Sequence, residues 1–372
     1  MTEKTERNAS PGSPTPPGAE PGGEPGGRLG RPGRPGRPDI TMVASRAGVA
    51  PATVSRVFNQ PEKVRAATRE RVLKAAHDLG YIRNRAVGTM HGRVSGCIGL
   101  VVPELTNSIF SEIIQSFSDV VSEAGYTVLM ATHGYDARRE LSVITKLLEH
   151  RVDAVALIGL ERLNATYALL KRQQVPAIAL WQYDPHSIIS CVGVDNQEAG
   201  YLAASHLIDL GHRKIGIAFP PTGENERARA RLAGVNQALA QAGLNMSEDW
   251  RIEAVYDVSR AKSAIVKLLD GPDLPTALVC GNDIIAQGAL FAAQRLRLSV
   301  PGELSIVGIG DFPESADLEP GLTTVHIPAV RIGRQAGHHL TISIAERSGH
   351  QILRSKLDVE LIVRSTTAAP GA

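Results

Sequence analysis

The sequence predicts an α/β protein: an N-terminal three-helix helix-turn-helix headpiece followed by a two-lobed body built on parallel sheets. Two observations carry this. A short basic segment with three helical patterns precedes a large, mildly acidic segment, and from Val94 onward the latter alternates apolar runs of strand length with amphipathic helical patterns. With 372 residues, 43% of them hydrophobic and 21% charged, the chain can bury the cores of two or three domains.

The net charge of +2 conceals an asymmetry. Residues 1–38 hold 6 basic and 4 acidic side chains, residues 39–93 hold 10 and 4, and residues 94–372 hold 24 and 30. A basic module of this kind attracts a polyanion by counterion release, and DNA is the usual one. A solvated basic face without a partner is the alternative that charge alone leaves open. No apolar run reaches the ~18 to 20 residues of a membrane span, and the first ten residues lack the basic-then-apolar pattern of a secretory signal. A cytoplasmic protein without a membrane partner is therefore expected. Cys97, Cys191 and Cys280 lie far apart and show no metal or redox spacing, so each reads as a small buried apolar residue, with no metal and no cofactor.

Residues 1–38 contain 9 Gly and 9 Pro, a composition that offers too little apolar surface to offset the entropy of ordering, so a disordered tail is expected. Its last stretch, RLGRPGRPGRP at 28–38, resembles the AT-hook, which lays Arg along a narrow A·T minor groove. The usual Arg-Gly-Arg-Pro core is missing, which leaves a plain flexible basic tail as the other reading.

The headpiece spans 39–83. Asp39 is a good N-cap for a helix over 40–47, and Gly48-Val49-Ala50 breaks it in a tight turn. Pro51 suits the first position of a second helix over 51–58, where its missing N–H is no loss. A third helix over 66–79 places Val72, Leu73, Ala76 and Leu79 on one face, and Gly80 ends it. Val54 and Val57 face the helical core by their spacing. Two short helices around a Gly turn, buttressed by a third, make a helix-turn-helix.

The body, 96–367, begins with CIGLVV and continues through TVLMA, AVALIG, PAIAL, VGV, KIGIAF, TALVC and SIVGI, with helical patterns between them and a last strand pattern at 358–363. Repeated βαβ units give parallel sheets covered by helices on both faces. Roughly 270 residues of this pattern divide into two lobes, and ligands of such folds bind at the carboxyl ends of the strands, here the cleft between lobes.

The run VASRAGVAPATVSRVFN at 43–59, with TRERV at 68–72 and LGYIRNR at 79–85, resembles the headpiece of the lactose-repressor (LacI/GalR) family. Collinear similarity continues through GVDN at 193–196, GHRKI at 211–215, RLAG at 231–234, Asn282-Asp283, Val300-Pro301 with SIVG at 305–308, and LTTV at 322–325, spanning about 39–367. The resemblance implies a homodimeric transcription repressor on palindromic operator DNA, with a periplasmic-binding-protein-like body that senses a small carbohydrate. Within the family, VPELTN at 102–107 with Phe110, HGY at 133–135, CGND at 280–283 and NQPEKV at 59–64 are similar to gluconate-operon repressors, which implies a sugar-acid effector.

Carried over position by position, the resemblance implies that Pro51, Ala52 and Arg56 read bases, with Thr53, Ser55 and Asn59 on phosphates and flanking bases. Arg56 can fork to O6 and N7 of a guanine, whereas Pro51 and Ala52 offer only apolar contact to a thymine methyl. Ala50 and Arg65 stand where relatives usually place a Ser before a helix; losing such a cap costs ~1 kcal/mol, and Arg65 adds a phosphate contact in exchange. Residues 84–95 correspond to the family's hinge, which folds on operator DNA over 85–91 and inserts a wedge, here Met90, into the minor groove. An ordinary linker role for Met90 is the alternative. In the cleft the resemblance places Pro103, Asn107, Phe110, Tyr135 and Trp181 from the first lobe and Arg231, Asn282, Asp283 and Asp311 from the second. An aromatic ring can stack on the C–H face of a polyol and Arg231 can clamp hydroxyls or a carboxylate, although core packing also explains Trp181 and Phe110. Where neutral-sugar sensors of the family carry an Asp, this chain has Gly310, which relieves repulsion toward an anionic ligand.

Other classes fit less well. A free sugar-binding transport protein needs a secretory signal and no helix-turn-helix. An enzyme on the same body needs a G-x-S-x-G elbow, a P-loop, H-E-x-x-H or a strand-linked G-x-G-x-x-G, none of which the sequence contains. A repressor that uses its ligand as a corepressor stays open. Substituting Arg56→Ala is expected to cost ~1 to 3 kcal/mol on the cognate operator and much less on random DNA, by fluorescence anisotropy. Equal losses on both would make Arg56 a phosphate contact.

Overall fold

The computed structural model describes residues 38–83, 95–105, 108–346 and 351–371, and the chain divides into two units, Met1–Asn84 and Arg85–Ala372. The basic tail, the hinge segment with Met90, and Asn107 lie outside the described residues.

In the first unit, α1 (Ile40–Ala47) starts where Asp39 Oδ1 accepts the Met42 N–H at 2.8 Å, and it stops at Gly48, whose φ of 61° is the left-handed conformation that glycine adopts without a Cβ clash. Helix α2 (Pro51–Asn59) runs one residue beyond its sequence-predicted end, and α3 (Ala66–Asp78) follows. Neither Ala50 nor Arg65 makes a side-chain cap, as their residue types imply. Val43, Ala44, Ala47, Val54, Val57, Val72, Ala75 and Ala76 form the core. Leu73 does not join it: at 45% exposure it points away from the stripe. Val72, Ala75, Ala76 and Leu79 repeat at the helical period, and Leu73 lies about 100° round the helix from Val72.

Among the described residues, the second unit has two six-stranded sheets. The first contains β1 (Cys97–Val102), β2 (Thr127–Thr132), β3 (Ala154–Ile158), β4 (Ala177–Gln182), β5 (Ser190–Val194) and β11 (Arg354–Leu357), in the order β11-β5-β4-β3-β1-β2, all parallel. Helices α4 (Ser108–Glu123), α5 (Ala137–Glu149) and α6 (Asn164–Gln173) connect its strands. The second sheet contains β6 (Ile215–Phe219), β7 (Arg251–Glu253), β8 (Ala277–Cys280), β9 (Ser305–Gly310), β10 (Thr323–His326) and β12 (Glu360–Ile362), in the order β12-β10-β9-β8-β6-β7. Its helices are α8 (Glu226–Gln241), α9 (Val258–Leu269) and α10 (Asp283–Leu296). Both sheets are parallel except for edge strand β12, which runs antiparallel to β10. The strands predicted from apolar runs are present, while β7, β10 and β11 are short and carry polar residues that give no local strand signal.

The chain passes between the sheets three times: through α7 (Asn196–Asp209), through α11 (Ala329–Glu346), and between β11 and β12. Helices α7 and α8 cross at backbone contact. A Cβ on Gly200 would meet the carbonyl of Arg231, and one on Gly234 would meet the carbonyl of Gln197. Glycine is required at both positions because backbone cannot step aside as a side-chain tip can. Among the described residues, no helix is long and apolar enough to cross a membrane.

Gly234→Ala is therefore expected to lower stability by about 1–3 kcal/mol, read as a drop in calorimetric Tm, whereas Ala substitution at the open Gly243 should act only through its left-handed φ of 66°. A Gly234→Ala protein as stable as wild type would show that the helices separate at no cost.

Candidate functional site

Helix α2 presents a polar face. Pro51, Ala52 and Arg56 are exposed, Thr53, Ser55 and Asn59 are half-buried, and Val54 and Val57 turn inward. Asn59 Nδ2 donates to the Ser55 carbonyl at 2.7 Å and to Ser55 Oγ at 3.0 Å, and Asn59 Oδ1 accepts from Arg83. Arg83 also donates to the Phe58 carbonyl at 3.0 Å, fixing the end of α2. Ser55 and Asn59 are thus held in a local network, while the Arg56 guanidinium makes no hydrogen bond or ion pair among the described residues. Arg65 is exposed at the start of α3.

In the body, Phe110, Tyr135, Trp181, Arg231 and Asn282 line one cavity together with Arg227, Tyr256 and Phe312. Phe110 sits on α4, Trp181 near the end of β4, both arginines on α8 and Asn282 just after β8, so the cavity lies at the carboxyl ends of the parallel strands. Phe110 and Trp181 meet edge to face with centroids 6.2 Å apart, and Tyr135 and Tyr256 face each other at 6.4 Å. Beyond that tyrosine pair a wider recess opens, bordered by Glu104, Pro220, Asn225 and Arg260. Tyr135 and Trp181 have φ of 62° and 82°, a strained region for such side chains, and strain of this kind concentrates where function demands a particular geometry.

Arg231 is 4% exposed; its Nε donates to Asn196 Oδ1 and a terminal nitrogen to the Gly281 carbonyl, both at 2.8 Å. Burial pulls its pKa down to about 10, which still leaves it cationic at neutral pH. Burial pushes the ionisation of the Tyr135 hydroxyl well up, against the opposing charge of Arg227. Asn282 caps α10, its Oδ1 accepting the Ile285 N–H at 3.0 Å.

The structure does not bring every resemblance-derived residue to this cavity. Asp283 is fully buried and accepts from Ser315 Oγ at 2.6 Å, Thr324 Oγ1 at 2.6 Å and the Phe312 N–H at 3.0 Å, so it braces the loop that carries Phe312. Burial raises its pKa against these hydrogen bonds. Asp311, with φ of 56°, turns to Arg364 at 2.7 Å and His326 at 3.0 Å. Burial opposes its charge, but hydrogen bonds from His326 and Arg364 hold it below the ordinary aspartate range. Pro103 is buried, and its carbonyl accepts the Gly134 N–H at 2.8 Å beside Tyr135. Sequence reasoning missed Arg227, Tyr256 and Phe312. Arg227 precedes Arg231 by one helical turn, a spacing that predicts a shared face; Tyr256 follows the short β7 and had no signal. Among the described residues, no group of three or more His, Cys, Asp or Glu is placed to hold a metal ion.

Comparison with known proteins gives one consistent result. Residues 39–84 match the family model for bacterial regulatory proteins of the lacI family, and residues 204–367 match a periplasmic binding protein-like domain. The chain is 31% identical over 330 residues to the HTH-type transcriptional repressor CytR of Escherichia coli (strain K12), covering 88% of this chain and 95% of that one. It is 31% identical over 327 residues to the repressor PurR of Aliivibrio salmonicida (strain LFI1238), covering 87% and 97%. The lac repressor dimer bound to operator and the anti-inducer ONPF superimposes with a TM-score of 0.78 at 26% identity, covering 90% of this chain and all of that one.

Next to Tyr135, His133 is buried, and its pKa falls to about 4 through burial first and then the charges of Arg227, Arg162 and Arg139. The unfolded chain takes up a proton on this residue below about pH 6.5 while the folded state does not. Folding stability is therefore expected to fall by about 2 kcal/mol from this group between pH 7 and about pH 5, and His133→Gln should remove that part of the loss in urea titrations at the two pH values. An unchanged pH dependence would show that His133 titrates normally.

Proposed function

The chain belongs to the lacI family of bacterial regulatory proteins and is a DNA-binding transcription regulator rather than an enzyme, and from that premise we propose that it represses a sugar or sugar-acid catabolic operon and is released by a C6 sugar acid such as gluconate. It acts as a homodimer, two basic headpieces reading the halves of a palindromic operator. Arg56 carries most of the base discrimination, and the hinge wedge Met90 enters the minor groove.

One observation carries the effector assignment. The eight described residues that line the cavity include two arginines and no carboxylate. Arg231 is buried against two neutral acceptors, Asn196 Oδ1 and the Gly281 carbonyl, so an anion in the cavity would supply the charge that a buried guanidinium otherwise lacks. Of the two acidic candidates from sequence, Asp283 is taken up by Ser315, Thr324 and the Phe312 N–H, and Asp311 is neutralised by Arg364 and His326. Phe110, Trp181, Tyr135 and Tyr256 offer ring faces to the C–H groups of a polyol. For the ligand to release the operator it must bind the DNA-incompetent arrangement of the lobes more tightly than the competent one.

Calorimetric titration is expected to give D-gluconate an affinity at least about tenfold above that of D-glucose, and D-gluconate should weaken operator binding in an anisotropy assay. Arg231→Ala should abolish the response and the milder Arg227→Gln should weaken it, both retaining operator binding. Preference for the neutral hexose, or an Arg231→Ala protein that still responds, overturns the sugar-acid assignment. Tighter operator binding with ligand would make the ligand a corepressor.

A further inference from the structure

The first turn of α8 touches the opposite lobe. Glu226 begins this second-lobe helix, and its carboxylate accepts the Leu160 N–H at 2.5 Å and the Glu161 N–H, both in the first-lobe turn that follows β3. The turn is braced within its own lobe, because Arg162 donates back to the Gly159 carbonyl at 2.7 Å and lies 3.3 Å from Glu140. Gly159 has φ of 80°, and a Cβ there would collide with the Glu226 carboxylate and the Arg227 guanidinium. Three residues along α8, Arg229 is anchored to the Thr222 carbonyl at 2.6 Å and reaches Glu161 at 2.8 Å.

We infer that the turn at 159–161 is a backbone receptor for the Glu226 carboxylate, and that the two form a latch holding the lobes closed over the cavity. Two converging N–H groups on a charged acceptor make a charge-assisted contact, and backbone donors in a braced turn lose little entropy on engagement. The Arg229 and Glu161 pair, with both side chains about half exposed, adds little by comparison. Glu226 is a positioning residue: its neighbour Arg227 lines the cavity with Tyr135 and lies 3.7 Å from the Glu226 carboxylate, so engagement of the latch sets where that cation stands. The consequence for effector binding rests on the reading of the cavity given above; the latch itself does not.

Hydrogen exchange of the full-length protein, followed by mass spectrometry on peptides carrying Leu160 and Glu161, tests this. Glu226 accepts from both, so Glu226→Gln and, from the other lobe, Gly159→Ala are each expected to speed exchange of these two amides by roughly tenfold or more, while the β3 amides at 154–158 stay unchanged. D-gluconate should then dissociate faster from both variants. Unchanged exchange at 160 and 161 in Glu226→Gln overturns the latch, as does a change that spreads through β3, which would report loss of structure rather than opening. Because the exchange readout needs no effector, amides that respond while D-gluconate fails to act on the wild type leave the latch standing and remove the effector assignment alone.

Discussion

A guanidinium buried to 4% exposure has to find acceptors, and in this body the acceptors of Arg231 come from two other elements. Asn196 opens α7 and Gly281 follows β8, so one side chain ties the second turn of α8 to the start of α7 and to the carboxyl end of a strand. An unsatisfied buried charge would cost several kcal/mol, which makes the arrangement hard to loosen by degrees. It also demands that α7 and α8 approach to backbone contact, and glycine at 200 and 234 is what allows that. The cavity follows from this knot: Arg227 and Arg231 are one turn apart on α8, and Asn282 stands beside Gly281.

Around that knot, three residues other than glycine adopt left-handed backbone where strands end: Tyr135, Trp181 and Asp311. Each costs about 1–3 kcal/mol and persists only when its surroundings over-determine it. The determinants are visible. The Pro103 carbonyl holds the turn before Tyr135, and Arg364 with His326 holds Asp311. Asp283, predicted as a ligand residue, belongs to the same supporting layer, since its three hydrogen bonds fix the loop bearing Phe312. Carboxylates therefore shape the site from behind while arginines and rings form its surface.

The headpiece is organised on a different scale. Its core consists of eight buried Val and Ala side chains, and its second and third helices begin without a side-chain cap. Little is left over for stability beyond what the chain needs to hold α2 in place. The exposed face of α2 carries the distinctive chemistry, with Arg56 unpartnered among the described residues and Asn59 locked to Ser55 and Arg83.

By itself the sequence determined the helix-turn-helix, the alternation of strands and helices, the caps at Asp39 and Gly48, and five of the eight cavity residues. The first three rest on short-range rules, side-chain periodicity, the φ freedom of glycine, and a capping oxygen within three residues of its donor, whereas the cavity residues came from the family resemblance. Tertiary structure decided what local rules cannot express. It turned β12 antiparallel, left Leu73 outside the core, made strands of the polar segments β10 and β11, and brought Tyr256 to Tyr135 across the cleft. It also turned Asp283 and Asp311 away from the cavity. A carboxylate bonds to whichever donors the fold brings within about 3 Å, and those donors, Ser315, Thr324 and Arg364, lie 32, 41 and 53 residues further along the chain.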